Sequence, residues 1–168
     1  MNTFGYVSGN PLVRIDVYGL AEVCRIGKIN LHDHEGINGS HTISEHVGKS
    51  DSYLLRKMQG IKAGLFHTVY KPAHSTFSSV DSANRIVSAA LAMNKLEIVE
   101  FLNSNRQQLV IHDRFSSPTG RVAHRQYRGY TNNPGPVQMS TGYGVTAVLR
   151  RNSGMSEGFN IYTAYPTR

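Results

Sequence analysis

The sequence has little of several features that commonly stabilise or anchor a protein of 168 residues. Its single cysteine, Cys24, excludes an internal disulfide, so packing must stabilise any domain that works outside its cell. No apolar run approaches the roughly 20 residues that a membrane-spanning helix needs. No P-loop and no G-x-G-x-x-G motif is present, and we expect no cofactor and no bound metal. The N-terminus lacks the basic and then apolar pattern of a signal peptide, so we expect a cytoplasmic protein or a fragment of a larger one.

Acidic residues are also scarce. The chain has 11 Asp and Glu against 18 Lys and Arg, which gives a formal net charge of +7. Its sequence pI is about 9.7, a value that favours a polyanionic partner or an acidic protein. Nine tyrosines add aromatic surfaces on which nucleobases can stack. The composition therefore predicts a protein that binds nucleic acid.

The first 20 residues differ in character from the rest. They contain a Tyr-x-x-x-Asn-Pro segment and an Asp-x-x-Gly-Leu ending, formed by Tyr6, Asn10, Pro11, Asp16, Gly19 and Leu20. This stretch resembles the end of the core of Rhs/YD-repeat proteins, although Val17 replaces the usual proline. In that family the core encloses a variable C-terminal toxin. The resemblance divides the chain into a core end at 1–20, a linker at 21–35 and an effector domain at 36–168.

The sequence pattern of the effector region predicts helices followed by strands. Ser40 is expected to cap a short helix over 41–47, and Ser50 a second helix that ends near Gly60. Residues 61–78 are expected to be irregular. A longer helical region is expected from Ser79 to Asn103, with a break near Asn94.

Short strands are expected at 109–111, 121–123, 145–149 and 158–165. In the last strand, simple alternation turns four side chains to one face: Phe159, Ile161, Thr163 and Tyr165. This order predicts an α+β fold with N-terminal helices packed on a twisted antiparallel sheet.

Candidate catalytic groups lie at both ends of the effector region. The N-terminal helices offer His41, His46 and Arg56, and the last strand offers Thr163 and Tyr165. A metal-free ribonuclease needs such groups, because imidazoles move protons near neutral pH while cations and hydroxyls stabilise a crowded phosphate. The helix dipole favours a neutral His41 in the first turn, which suits a general base. His46 lies five positions on and is not expected to share the face of His41.

Several spaced motifs resemble the bacterial ribonuclease A-like toxin domain found at the C-termini of contact-dependent inhibition and other polymorphic toxins. They are His41-Thr42-Ile43, His46-Val47-Gly48-Lys49, Leu54-Leu55, Ser75-Thr76-Phe77 and Thr163-Ala164-Tyr165-Pro166. The resemblance covers about residues 35–168. It implies a ribonuclease A-like fold without disulfides, metal-independent RNA cleavage and a cognate immunity protein. It also implies a toxin that leaves the producing bacterium and acts in the target-cell cytoplasm; we expect a monomer.

The resemblance also implies roles for the candidate residues. The family's site combines a histidine and an arginine from the N-terminal helices with a threonine and a tyrosine on a late strand. Thr163 and Tyr165 match the last pair, Arg56 is the match for the arginine, and either His41 or His46 supplies the histidine. Three further basic residues are expected to bind the substrate: Lys49, Arg121 and Arg150. We expect this substrate to be RNA, with tRNA as one candidate.

Two other functions remain open at this point. The run His32-Asp33-His34-Glu35, together with His41 and His46, suggests a metal-dependent nuclease. The basic surface alone is compatible with a non-catalytic module that binds nucleic acid. The interpretation as a toxin further predicts an acidic immunity protein, since a surface of charge +7 attracts an anionic partner.

Overall fold

Two three-stranded antiparallel sheets carry the structure, a computed structural model that describes residues 27–62, 68–125 and 135–168. The described α-helices are α1 (Thr42–His46), α2 (Asp51–Lys57), α3 (Val80–Met93) and α4 (Lys95–Asn103), preceded by two short 3-10 helices at Leu31–Asp33 and Ile37–Gly39. The described strands are β1 (Ile61–Lys62), β2 (Thr68–Val69), β3 (Ala73–Thr76), β4 (Gln108–Arg114), β5 (Gly120–Arg125), β6 (Val137–Gly142), β7 (Gly144–Arg151) and β8 (Phe159–Thr167). One sheet has the order β3-β5-β6 and the other β4-β7-β8, while β1 and β2 form a separate pair. The predicted α+β class is confirmed, with two sheets in place of the single one expected.

The helices begin and end at the residues that capping chemistry favours. The Ser50 hydroxyl accepts a hydrogen bond from the Tyr53 amide at the start of α2, and Ser79 caps α3 in the same way. Asn94 separates α3 from α4, so the predicted break is confirmed. Among the described residues, no helix combines the length and the apolar character that crossing a membrane requires.

The main core lies between the β4-β7-β8 sheet and helices α3 and α4. Its largest fully buried side chains are Leu31, Phe77, Val87, Leu91, Ile98, Phe101, Ile111, Leu149, Phe159 and Ile161. A smaller cluster of Leu54, Met58 and Ala123 packs α2 against β5. Leu55, the neighbour of Leu54 on α2, is 42% exposed. Burial of aliphatic and aromatic side chains thus takes the place of crosslinks in this fold.

The segment expected as a linker, 21–35, is described from residue 27 and contributes to the core from there on. Ile29 and Leu31 are buried against the main core. The Ile29 amide donates to Ser88 Oγ and the Leu31 amide to Asn84 Oδ1, each at 2.9 Å, which fixes this segment on α3. Ile29 and Leu31 of the expected linker thus pack with the domain, and the boundary at residue 36 stays a prediction. The Rhs-like stretch at 1–20 lies outside the described residues.

The stretch 61–78, predicted to be irregular, contains β3. Ala73–Thr76 pairs with β5, with His74 opposite Ala123 and Ser75 opposite Val122. The Ser75 hydroxyl donates to the Pro166 carbonyl at 2.6 Å, which joins this sheet to β8 of the other one. At Gly120 a Cβ atom would overlap the Thr76 carbonyl and the Pro166 ring, so only glycine allows the two sheets to approach so closely.

A β-bulge changes the side-chain pattern of β8. Val148 is paired with Thr163 but the next residue, Leu149, is paired with Ile161, so Tyr162 is the extra residue. The core face therefore continues from Ile161 to Ala164, and Thr163 with Tyr165 turns to the opposite face. The prediction that Phe159, Ile161, Thr163 and Tyr165 share one face is wrong, because it assumed unbroken alternation.

Substitution of Leu31 tests whether residues 27–35 belong to the folded domain. Leu31 is 0% exposed, so Leu31→Ala should lower the free energy of unfolding by about 2–5 kcal/mol through lost burial and a new cavity. The matched control, Leu55→Ala, should change it by about 0.5 kcal/mol or less because Leu55 is exposed. Urea unfolding of both variants measures the difference. Equal effects would show that this segment adds nothing to the core.

Candidate active site

Helix α1 is fixed between β3 of one sheet and β8 of the other. At its end, the His46 carbonyl accepts from the Phe77 amide at 2.8 Å, and the Gly48 amide donates to the Phe77 carbonyl at 2.9 Å. On the other side, the Thr42 hydroxyl accepts from the Ala164 amide at 2.9 Å. Residues at both ends of this short helix are therefore held by groups far away in the sequence.

The start of α1 differs from the expected one. His41 occupies the N-cap position and the helix begins at Thr42, so His41 is not in the first turn and Ser40 is not the cap. The Glu35 carboxylate caps the helix instead, accepting from the Ile43 and Ser44 amides at 2.8 and 2.9 Å. Burial alone would raise the pKa of Glu35, but these hydrogen bonds outweigh it and lower the pKa.

A cleft of about 680 Å³ opens beside α1, where α2, β3 and β8 meet. Its polar and ionisable lining consists of His41, Ser44, Glu45, His46, Lys57, Lys71, His74, Ser75, Tyr165, Thr167 and Arg168. Three of these side chains are permanently cationic and one, Glu45, is a carboxylate. The excess of positive charge suits an anionic ligand such as a phosphodiester.

His41 and His46 present the same ring nitrogen to this cleft. Nδ1 of His41 lies 2.8 Å from the Gly39 carbonyl, and Nδ1 of His46 lies 2.9 Å from the Ser75 carbonyl. A carbonyl only accepts, so each Nδ1 carries the proton and each Nε2 is left free for a ligand. The ring centroids are 6.4 Å apart. The expectation that the two rings point to different faces is wrong, because the helix starts only after His41.

Burial keeps two of the cleft's imidazoles neutral. It lowers the pKa of His46, against a smaller opposing effect of the hydrogen bond to Ser75. It lowers the pKa of His74 to about 4, with the neighbouring His46 adding to the effect. The two rings lie 4.8 Å apart, and His74 Nε2 is buried without a hydrogen-bond partner among the described atoms. The sequence pattern does not predict β3 and so does not identify His74 as a site residue, although His74 directly precedes the Ser75-Thr76-Phe77 motif.

Lys57, and not Arg56, is the α2 cation that reaches the cleft. Lys57 Nζ lies 2.7 Å from Glu45 Oε2 in an ion pair, and the Tyr53 hydroxyl donates to the same carboxylate at 3.1 Å. The hydrogen bond to Glu45 raises the pKa of Lys57, so its ammonium stays charged. Arg56 is exposed outside the cleft, with its guanidinium 5.3 Å from the centre of the Tyr53 ring. Arg56 thus does not line the cleft, and its catalytic role stays a prediction.

The two hydroxyl residues of β8 have different surroundings. Tyr165 lines the cleft, and its ring lies 5.2 Å from that of His46. Thr163 is on the same face of β8 but is buried and does not line the cleft. Its hydroxyl is buried without a hydrogen-bond partner among the described residues.

The three residues expected to bind substrate all lie outside the cleft. Arg121 forms an ion pair with Asp51 and also donates to the Lys49 carbonyl at 2.8 Å. The Arg150 guanidinium lies 3.2 Å above the centre of the Tyr162 ring. The same ring meets His41 in an edge contact, with centroids 4.9 Å apart. The Tyr162 ring therefore lies between Arg150 and His41.

The side chains of Asp33, His34 and Glu35 are used in local structure. His34 Nδ1 accepts from the Ile161 amide at 3.2 Å, and burial lowers the pKa of its ring. Asp33 accepts from the Asn30 side chain at 3.0 Å, and Glu35 caps α1. Within the described ranges, no group of three or more His, Cys, Asp or Glu is arranged to hold a metal ion. The geometry thus gives no support to a metal site formed by His32–His46.

Comparison with known proteins adds independent information. A family model described as the bacterial CdiA-CT RNAse A domain matches residues 40–166. A solved structure from Y. kristensenii 33638, described as a CdiA-CT/CdiI complex, is similar at 27% sequence identity and a TM-score of 0.60. The similarity covers 77% of this chain and 100% of that one. No curated protein matches. The family match includes every residue that lines the cleft except Thr167 and Arg168, and the chain belongs to the bacterial CdiA-CT RNase A domain family.

Proposed function

We propose that this domain is an endoribonuclease that cleaves RNA without a metal ion, through the neighbouring 2′-hydroxyl. The observation that carries the proposal is the pair of imidazoles, His41 and His46, that present free Nε2 atoms to one cationic cleft. Transphosphorylation needs a base to take the 2′-hydroxyl proton and an acid to protonate the leaving 5′-oxygen. The 2′-oxygen forms a bond to phosphorus while the bond to the 5′-oxygen breaks, which leaves a 2′,3′-cyclic phosphate and a 5′-hydroxyl.

Burial favours His46 as the general base. Its pKa is lowered, so its Nε2 carries a free lone pair at neutral pH and can accept the 2′-hydroxyl proton. His41 is less buried, and its Nδ1 is bonded to the Gly39 carbonyl, which leaves Nε2 as the ring atom that can face the leaving oxygen. We assign it as the acid that protonates the leaving oxygen. This assignment reverses the preference for His41 as base, which depended on a place in the first turn of α1.

The remaining cleft residues stabilise the charge that develops on phosphorus. Lys57, Lys71 and Arg168 line the cleft and provide cationic donors for the phosphorane oxygens. Tyr165 adds a phenolic donor beside His46. Thr163 lies two residues before Tyr165 on the same face of β8, and we assign it a positioning role, since its hydroxyl is buried outside the cleft.

The family membership supports a role between bacteria. The similar solved structure is described as a CdiA-CT/CdiI complex, and we propose that this domain is likewise neutralised by a cognate immunity protein. The charge of +7 favours an acidic one. We further propose that the domain leaves its producer and acts on RNA in the cytoplasm of a target cell.

The first test is cleavage of labelled total RNA and tRNA in excess EDTA. The native protein should still cleave and should leave 2′,3′-cyclic phosphate ends. His46→Ala should lose about 100-fold or more of the rate, because proton transfer by a placed imidazole contributes that much. Arg85→Ala, an exposed arginine on α3, serves as the control. Cleavage that returns only with added metal would overturn the mechanism, and binding without cleavage in either buffer would leave a non-catalytic module.

A change of leaving group separates the two histidines. An aryl ester of a nucleoside 3′-phosphate needs no proton on its leaving oxygen, whereas a dinucleotide does. His41→Ala should therefore slow dinucleotide cleavage about 100-fold or more but aryl ester cleavage far less, and His46→Ala should slow both. The measurement is kcat/KM for each variant on each substrate. The opposite pattern would make His41 the base and His46 the acid.

The pH dependence of kcat/KM reports the state of the base. His46 must be neutral to act, and burial lowers its pKa below the ordinary 6.5. Activity should therefore persist as the pH falls through 6.5 and disappear only when His46 becomes protonated at lower pH. The rate profile on a dinucleotide and an NMR titration of the His46 ring should give the same acidic midpoint. A midpoint above 6.5 would contradict the assignment.

A further inference from the structure

Three cationic side chains lie around one half-buried aromatic ring of α2, that of Tyr53. The ammonium groups of Lys49 and Lys57 lie 5.4 and 5.3 Å from the centre of the Tyr53 ring, and the Arg56 guanidinium lies at 5.3 Å. We call Lys49, Tyr53, Arg56 and Lys57 the Tyr53 platform. The attraction of the ring for cations holds the three charges close together, although charges this close also repel one another.

Much of this charge has no counterpart in the protein. Glu45 pairs with Lys57, but neither Lys49 nor Arg56 forms an ion pair within the described part of the chain. Asp51, the acidic residue in the first turn of α2, is bound by Arg121 instead. Repulsion between neighbouring like charges costs stability, and a bound polyanion would offset that cost. The platform is therefore better suited to a complex with an anion than to the free protein.

The platform is continuous with the catalytic cleft. Lys57 belongs to both, and the Tyr53 hydroxyl binds Glu45, which lines the cleft. A strand whose scissile phosphate lies beside His46 and Lys57 would bring an adjacent phosphate towards the exposed Arg56. The cations already occupy the surroundings of the Tyr53 ring, which favours phosphate binding there over stacking of a base.

We propose that the Tyr53 platform is a subsite for the phosphate backbone of RNA next to the scissile bond. Lys49 and Arg56 neutralise the phosphates, and Tyr53 holds the two cations in place. The proposal rests on the ribonuclease function proposed above. It gives Arg56 a role in extending the substrate contact, outside the cleft in which the bond is broken.

Substrates of different length test the platform. Each is an oligonucleotide with a single ribonucleotide, and therefore one cleavable bond, either as a dinucleotide or extended by several deoxynucleotides on its 5′ or its 3′ side. The native protein should show a higher kcat/KM for one extended substrate than for the dinucleotide. Arg56→Ala should remove about fivefold of that gain, and Arg56→Glu should remove more. In Arg56→Ala, the dependence of log kcat/KM on log salt should become less steep by about 0.7 for the extended substrate.

Controls separate this proposal from the proposed function. Arg85→Ala removes an equal charge from α3 and should keep the full gain from the extension. Thermal melting should show Arg56→Ala to be as stable as the native protein, since Arg56 is exposed. A native protein that cleaves neither substrate would refute the ribonuclease function itself. If Arg56→Ala cleaves with the same length dependence as the native protein, only the role of the Tyr53 platform as an RNA subsite would be overturned. The same conclusion would follow if Arg56→Ala lost affinity for an acidic protein but kept the length dependence.

Discussion

The attachment of α1 to both sheets is the constraint on which the site depends. A helix of five residues is too short to be stable by itself, so tertiary contacts must fix it. Phe77 holds its end through two backbone hydrogen bonds, and the Thr42 hydroxyl binds the backbone of β8. These bonds are formed by groups whose positions are set by the sheets. They place the rings of His41 and His46 relative to Tyr165 more firmly than the helix could.

The same packing sets the chemistry of the imidazoles. Where α1 meets β3, the Ser75 carbonyl fixes the tautomer of His46, and the burial that accompanies this contact lowers its pKa. A ring with one nitrogen bonded to the backbone and the other facing a cleft is prepared for proton transfer at one atom only. The cations around it act in a partly desolvated space, where their effect on a developing negative charge is larger than in water.

Local signals in the sequence predicted local features well. The Ser50 cap, the break at Asn94 and the α+β order are set by residues close in the chain, and all are present. The errors concern contacts between distant segments. The pairing of β3 with β5 made His74 a cleft residue. The packing of α2 turned Lys57, and not Arg56, towards the cleft, and these two side chains differ by a rotation of about 100° around the helix. No pattern within a short window shows such contacts, which is why the family motifs identified the region of the site better than its individual cations.

The bulge at Tyr162 shows how one extra residue can serve both the core and the site. Without it, Ile161 and Thr163 would share a face, and the strand would have to bury a threonine in the core or expose an isoleucine. With it, Ile161 and Ala164 both face the core, while Thr163 and Tyr165 face the helix that carries the histidines. The bulge residue itself carries the ring between Arg150 and His41. Bulges commonly redirect side chains next to active sites, and this one links the apolar packing of β8 to the position of a catalytic candidate.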